Sequence, residues 1–65
     1  MKRMNRSDAM LLADSPSLYQ FDLRTLRSIE VAIRKPGIER TVYRDAALNR
    51  VLGAIRQKNA VQAAA

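Results

Sequence analysis

Apolar positions along the chain recur in helical registers at two places. The clearer one lies late, where "TVYRDAALNRVLGAIRQKN", from Thr41 to Asn59, spaces Ala47, Leu48, Val51, Leu52 and Ile55 at i, i+1, i+4, i+5 and i+8. That spacing predicts one apolar stripe along an otherwise polar helix. Thr41 offers a hydroxyl N-cap at its start. Gly53 falls inside the run, where it costs about 1 kcal/mol relative to Ala, and is expected to mark the close approach of another helix. Upstream, "TLRSIEVAIRK" predicts a shorter helix capped by Thr25. Leu26, Ile29, Ala32 and Ile33 form its buried side, and Arg27, Glu30 and Arg34 face out. Glu30 and Arg34 stand at the favourable i, i+4 spacing, worth about 0.3–0.5 kcal/mol. Pro36-Gly37 is a turn signal, and Pro36 disfavours helical geometry at Lys35, so this helix should stop near Arg34.

Between these helices and the N-terminus the periodicity changes. "YQFDLR", residues 19 to 24, alternates apolar and polar side chains without a break. Two conformations satisfy it. As a strand, it sends Tyr19, Phe21 and Leu23 to one face and Gln20, Asp22 and Arg24 to the other. As a helix, it belongs to a longer element over 16–34, with Ser15 as N-cap and Pro16 as first helical residue, and Leu18 and Phe21 then fall off the apolar stripe. The strand gathers all three large side chains and is the reading developed below. Residues 1–17 then form a basic N-terminal arm, with a helical turn or two near Ser7 to Ala13 capped by Ser7, and a break at Asp14-Ser15-Pro16-Ser17. Residues 18–59 form a strand-helix-helix core, and 60–65 an Ala-rich tail. The core is expected from Leu23, Leu26, Ile29, Ile33, Leu48, Val51, Leu52 and Ile55.

Composition narrows the options. A chain of 65 residues buries only about 60% of the surface that its unfolded form exposes, so a lone monomer is marginally stable. It has no Cys and no His. That excludes a disulfide, a thiolate-held zinc and the commonest general base, and leaves association as the way to bury more, so a homodimer is expected. Nine Arg and three Lys against six acids give a net charge of +6, which points to a polyanion as partner. The planar guanidinium fork suits phosphates and guanine edges better than an ammonium does. Asp8, Asp14, Asp22, Glu30, Glu39 and Asp45 are scattered, and Gly37 and Gly53 form no phosphate loop. No enzyme, catalytic residue, metal or cofactor is therefore expected. No apolar run approaches the ~18–20 residues of a membrane helix, which suggests a cytoplasmic protein with no membrane role.

A single strand needs a partner for its backbone, and a second copy supplies one as an antiparallel two-stranded ribbon. Strand, helix, turn, helix, opened by the alternating "QFDLR", resembles the ribbon-helix-helix DNA-binding family of the Arc repressor type over about residues 19 to 56. The expected fold class is therefore mainly α with one short strand, a ribbon-helix-helix homodimer. The resemblance implies a transcriptional regulator, a repressor, that reads the major groove of double-stranded DNA with Gln20, Asp22 and Arg24. It also implies phosphate contact at the start of the second helix, at Thr41 with Arg40 and Arg44. Lys2, Arg3 and Arg6 of the arm would follow the phosphate backbone. The alternative is an all-α helical hairpin of 16–34 and 41–59, which would act as a small basic adaptor or inhibitor of a larger protein or RNA.

Overall fold

The computed structural model describes residues 4–35 and 41–64, and among them there is no β-strand. Three α-helices are present: α1, Arg6–Ala13; α2, Leu23–Arg34; and α3, Val42–Ala64, with a 3₁₀ turn at Leu18–Gln20 between α1 and α2. The expectation of a ribbon-helix-helix fold with a short strand is therefore overturned. The all-α class of the alternative is found, but not its two-helix hairpin of 16–34 and 41–59, because residues 6–13 form a further helix and α2 begins at Leu23 rather than near residue 16.

Burial and helix capping together explain the missing strand. Leu18 is fully buried whereas Tyr19 is half-exposed, so the alternating set is not the buried set. In a 3₁₀ turn side chains at i and i+3 eclipse, which brings Leu18 and Phe21 to the same side, and both join the core. The turn is closed by backbone bonds from Leu18 N–H to Ser15 O, from Gln20 N–H to Ser17 O and from Phe21 N–H to Leu18 O. Between the 3₁₀ turn and α2, only Phe21 and Asp22 have extended backbone. Asp22 is then the N-cap of α2, its carboxylate accepting from Thr25 N–H at 2.8 Å. A carboxylate there satisfies one of the four orphan donors of a helix start. Phe21 and Leu26 occupy the N′ and N4 positions of a hydrophobic staple, and both belong to the core. The cap lies at Asp22, three residues before the expected Thr25.

The same device opens α1. Asn5, not Ser7, is its N-cap, with Oδ1 accepting from Asp8 N–H at 2.8 Å, and Met4 packs on the core at the N′ position. The break expected at Asp14 to Ser17 is present. There Ser17 donates its N–H to Ser15 Oγ and the two hydroxyls pair at 2.8 Å.

The helices run alternately up and down. Arg44, in the first turn of α3, reaches the C-terminal carbonyls of α2, while the charge of Lys58 is felt by Asp22 at the opposite end of α2. Arg6, at the start of α1, also reaches the end of α2, and Asp14 at the end of α1 pairs with Arg50 midway along α3. So α2 is antiparallel to both neighbours, and α1 lies alongside the first half of α3.

The core comprises Leu18, Leu26, Ile29, Ile33, Val51 and Ile55 with Ala9, Ala13, Ala32, Ala47 and Ala54. Five of the eight expected core residues are buried, whereas Leu23, Leu48 and Leu52 are half-buried. Alanine makes up the difference. Ala9 and Ala13 are fully buried, and Met10 and Leu12 of α1 also pack against the core, so residues 6–13 belong to the core rather than to a free arm. A Cβ built on Gly53 would meet nothing within 4 Å. The close approach expected there is absent among the described residues, where the glycine weakens α3 without a packing gain.

Candidate nucleic-acid interface

Because α2 buries Leu26, Ile29, Ala32 and Ile33 against α1 and α3, the opposite side of the helix faces solvent. Arg24, Arg27, Val31 and Arg34 follow one another there at helical spacing, and all four are exposed. At 1.5 Å per residue the ridge from Arg24 to Arg34 is about 15 Å long. Arg34 donates through Nε to Glu30 at 2.9 Å, the i, i+4 pair expected from sequence. Among the described residues neither Arg24 nor Arg27 pairs with an acid.

Folding gains little from these two arginines. Arg24 sits in the first turn of α2, where the helix dipole disfavours a cation. Arg24 and Arg27 are also like charges one turn apart, which costs a few tenths of a kcal/mol. Asp22 offsets part of this. Its carboxyl is held below the ordinary range, first by the hydroxyl of Thr25, then by Thr25 N–H, with smaller help from Arg24 and Lys58. It is therefore ionised at neutral pH and committed to the helix start.

The other expected site residues are distributed differently from a ribbon. Gln20 is exposed in the 3₁₀ turn, Asp22 caps α2 and Arg24 lies within it, so the three do not share one strand face. Thr41 Oγ1 accepts from Arg44 N–H at 3.0 Å and caps α3, as the sequence predicts. The Arg44 side chain turns inward: Nε donates to Ile33 O at 2.9 Å and Nη2 to Lys35 O at 3.2 Å. Arg6 Nη2 donates to the same Lys35 carbonyl, and its Nε is buried. Two guanidinium groups thus close the C-terminal end of α2, where orphan carbonyls and the negative end of the dipole attract cations. Lys2, Arg3 and Arg40 lie outside the described residues, as does the Pro36-Gly37 turn.

What sequence reasoning missed is Arg27 as a member of a basic ridge. The signal was present in the spacing of 24, 27, 31 and 34. The alternation of residues 19 to 24 obscures it, because it puts Arg24 on a strand face and leaves Arg27 on a helix.

Among the described residues no group of His, Cys, Asp or Glu is placed to hold a metal ion, and no helix is long and apolar enough to cross a membrane. No known protein family, no curated protein and no solved structure matches the chain.

Proposed function

We propose that this protein binds nucleic acid through the arginine ridge of α2, with duplex DNA as the preferred form and gene regulation as its setting. The reading rests on one observation: Arg24 and Arg27 are exposed on one outward face and, among the described residues, neither pairs with an acid. A net charge of +6 supplies the long-range attraction that brings a polyanion to that face. A helix of 12 residues is about 18 Å long, and the major groove, about 12 Å wide, admits a helix. With α2 in the groove, Arg24 and Arg27 meet phosphates or guanine edges. Arg34 joins them by leaving Glu30, an exposed pair that costs little to break.

The test is a titration of labelled duplex DNA over a series of salt concentrations. Binding should weaken as salt rises, with a log–log slope of about 0.9 for each phosphate neutralised. Arg24→Ala/Arg27→Ala should lower that slope by about 2. Arg56→Ala, which removes one exposed positive charge from α3, serves as control and should change binding far less than either ridge substitution alone. No binding at low salt, or equal losses per charge at Arg56 and on the ridge, would exclude the ridge as the binding face.

A further inference from the structure

On the side of the molecule away from the α2 ridge, α1 and α3 leave an open groove of about 670 Å³ between them. Ala46 and Ala47 lie in it beside Leu11 and Tyr43, and Asp14 and Arg50 close one end. Leu11 is 73% exposed and Tyr43 81% exposed. Two large apolar side chains thus stand out beside a recess that Ser7, Met10, Ala46 and Ala47 line.

We propose that this groove is the face on which two copies of the chain associate, α1 and α3 of one protomer against α1 and α3 of the other. Three features specify a second copy as the occupant. First, the face carries both a projection and a recess, as a twofold interface requires, because each partner must present the surface that it receives. Leu11 and Tyr43 of one protomer fit over Ala46 and Ala47 of the other. Second, the charges match. The lining holds one acid and one base, so two chains of +6 meet where the local charge cancels and keep the α2 arginines on the outer sides. The Asp14–Arg50 pair is 3.5 Å apart with both side chains more than half exposed. Across a twofold axis each Asp14 can take the partner's Arg50 instead. Third, the protomer is short of core. Its largest fully buried side chains are Leu18, Leu26, Ile29, Ile33 and Val51, a small set for a chain with no disulfide. Covering Leu11 and Tyr43 adds the apolar burial that the monomer lacks. This association does not depend on nucleic-acid binding.

Sedimentation velocity of the full chain across a wide concentration series tests the proposal, with circular dichroism to confirm that each variant is folded. The native chain should pass from monomer to dimer. Tyr43→Glu and Leu11→Glu, both at exposed positions, should each weaken the dimer about tenfold or more with unchanged helix content. Asp14→Arg should also dissociate it by placing like charges together, and Asp14→Arg/Arg50→Asp should restore it. A native chain that stays monomeric throughout overturns the proposal, whether or not some other protein occupies the groove. So does a dimer that survives both glutamate substitutions, or one that the double charge reversal fails to restore.

Discussion

Asp22 shows how one side chain decides the conformation around it. Read in alternation with Gln20 and Arg24, it is the middle residue of a polar strand face. In the fold its carboxylate accepts from Thr25 N–H and begins α2. The hydrogen bonds from Thr25, and behind them the charges of Arg24 and Lys58, hold its pKa below the ordinary value. A folded-state pKa below the unfolded one means that the unfolded chain binds the proton more readily, so stability rises with pH across that interval. Asp22 therefore contributes stability at neutral pH, and the contribution is lost as pH falls through the folded value. Asp22→Asn keeps the N-cap but removes the titration. Urea midpoints measured from neutral pH down through the carboxylate range should converge for the two proteins in acid. Curves that stay parallel would mean that the cap bond does not depend on ionisation. The carboxyl is fully exposed, so the gap should be small.

At the scale of the element, what ends α2 matters as much as what starts it. The expected stop near Arg34 is found, and the carbonyls left there are taken by Arg44 and Arg6 rather than by water alone. This is why two of the arginines assigned to phosphates from the charge pattern are engaged within the chain. The arginine surplus serves two purposes, closing a helix end and forming a ridge, and the linear sequence does not distinguish them. Arg44→Ala should cost about 1.5–3 kcal/mol, because bonds from a charged donor are lost and half-buried carbonyls lose their partner. Arg44→Lys should recover only part, since one ammonium cannot span two carbonyls as the guanidinium fork does. Chemical denaturation gives the magnitude, and faster amide exchange confined to the last turn of α2 would locate the effect.

At the scale of the whole molecule, the difference from expectation lies in α1. Residues 1–17 read as an arm because their apolar run is short and their charge basic. Yet Ala9 and Ala13 are fully buried, and Arg6 and Asp14 tie the two ends of α1 to its neighbours. If α1 is part of one cooperative unit, Ala13→Asp buries a charge without a partner and should cost about 3–5 kcal/mol. In a domain of this size that shifts or abolishes the whole unfolding transition. If residues 6–13 were a detachable arm, the same change would leave the main transition in place, so a thermal melt followed by circular dichroism separates the two.

Much was legible in the linear pattern. The amphipathic period of α2, the helical run after Thr41, the Thr41 cap, the stop at Arg34 and the Glu30–Arg34 pair all follow from interactions within a few residues, which depend little on the rest of the chain. The surplus of arginine was equally plain. Three things depended on tertiary packing. Residues 18 to 22 were compatible with two local geometries, and burial of Leu18 and Phe21 selected the turn. Ala9, Ala13 and Ala54 carry almost no hydrophobic signal, yet all three are fully buried, so the core reached further toward the N-terminus than the large residues indicate. And whether an arginine faces a carbonyl or the solvent is a matter of where other helices end, which is set by contacts between residues far apart in the chain. Local propensity acts over one turn, whereas burial and charge pairing act across the molecule, and the latter determined which arginines remain exposed.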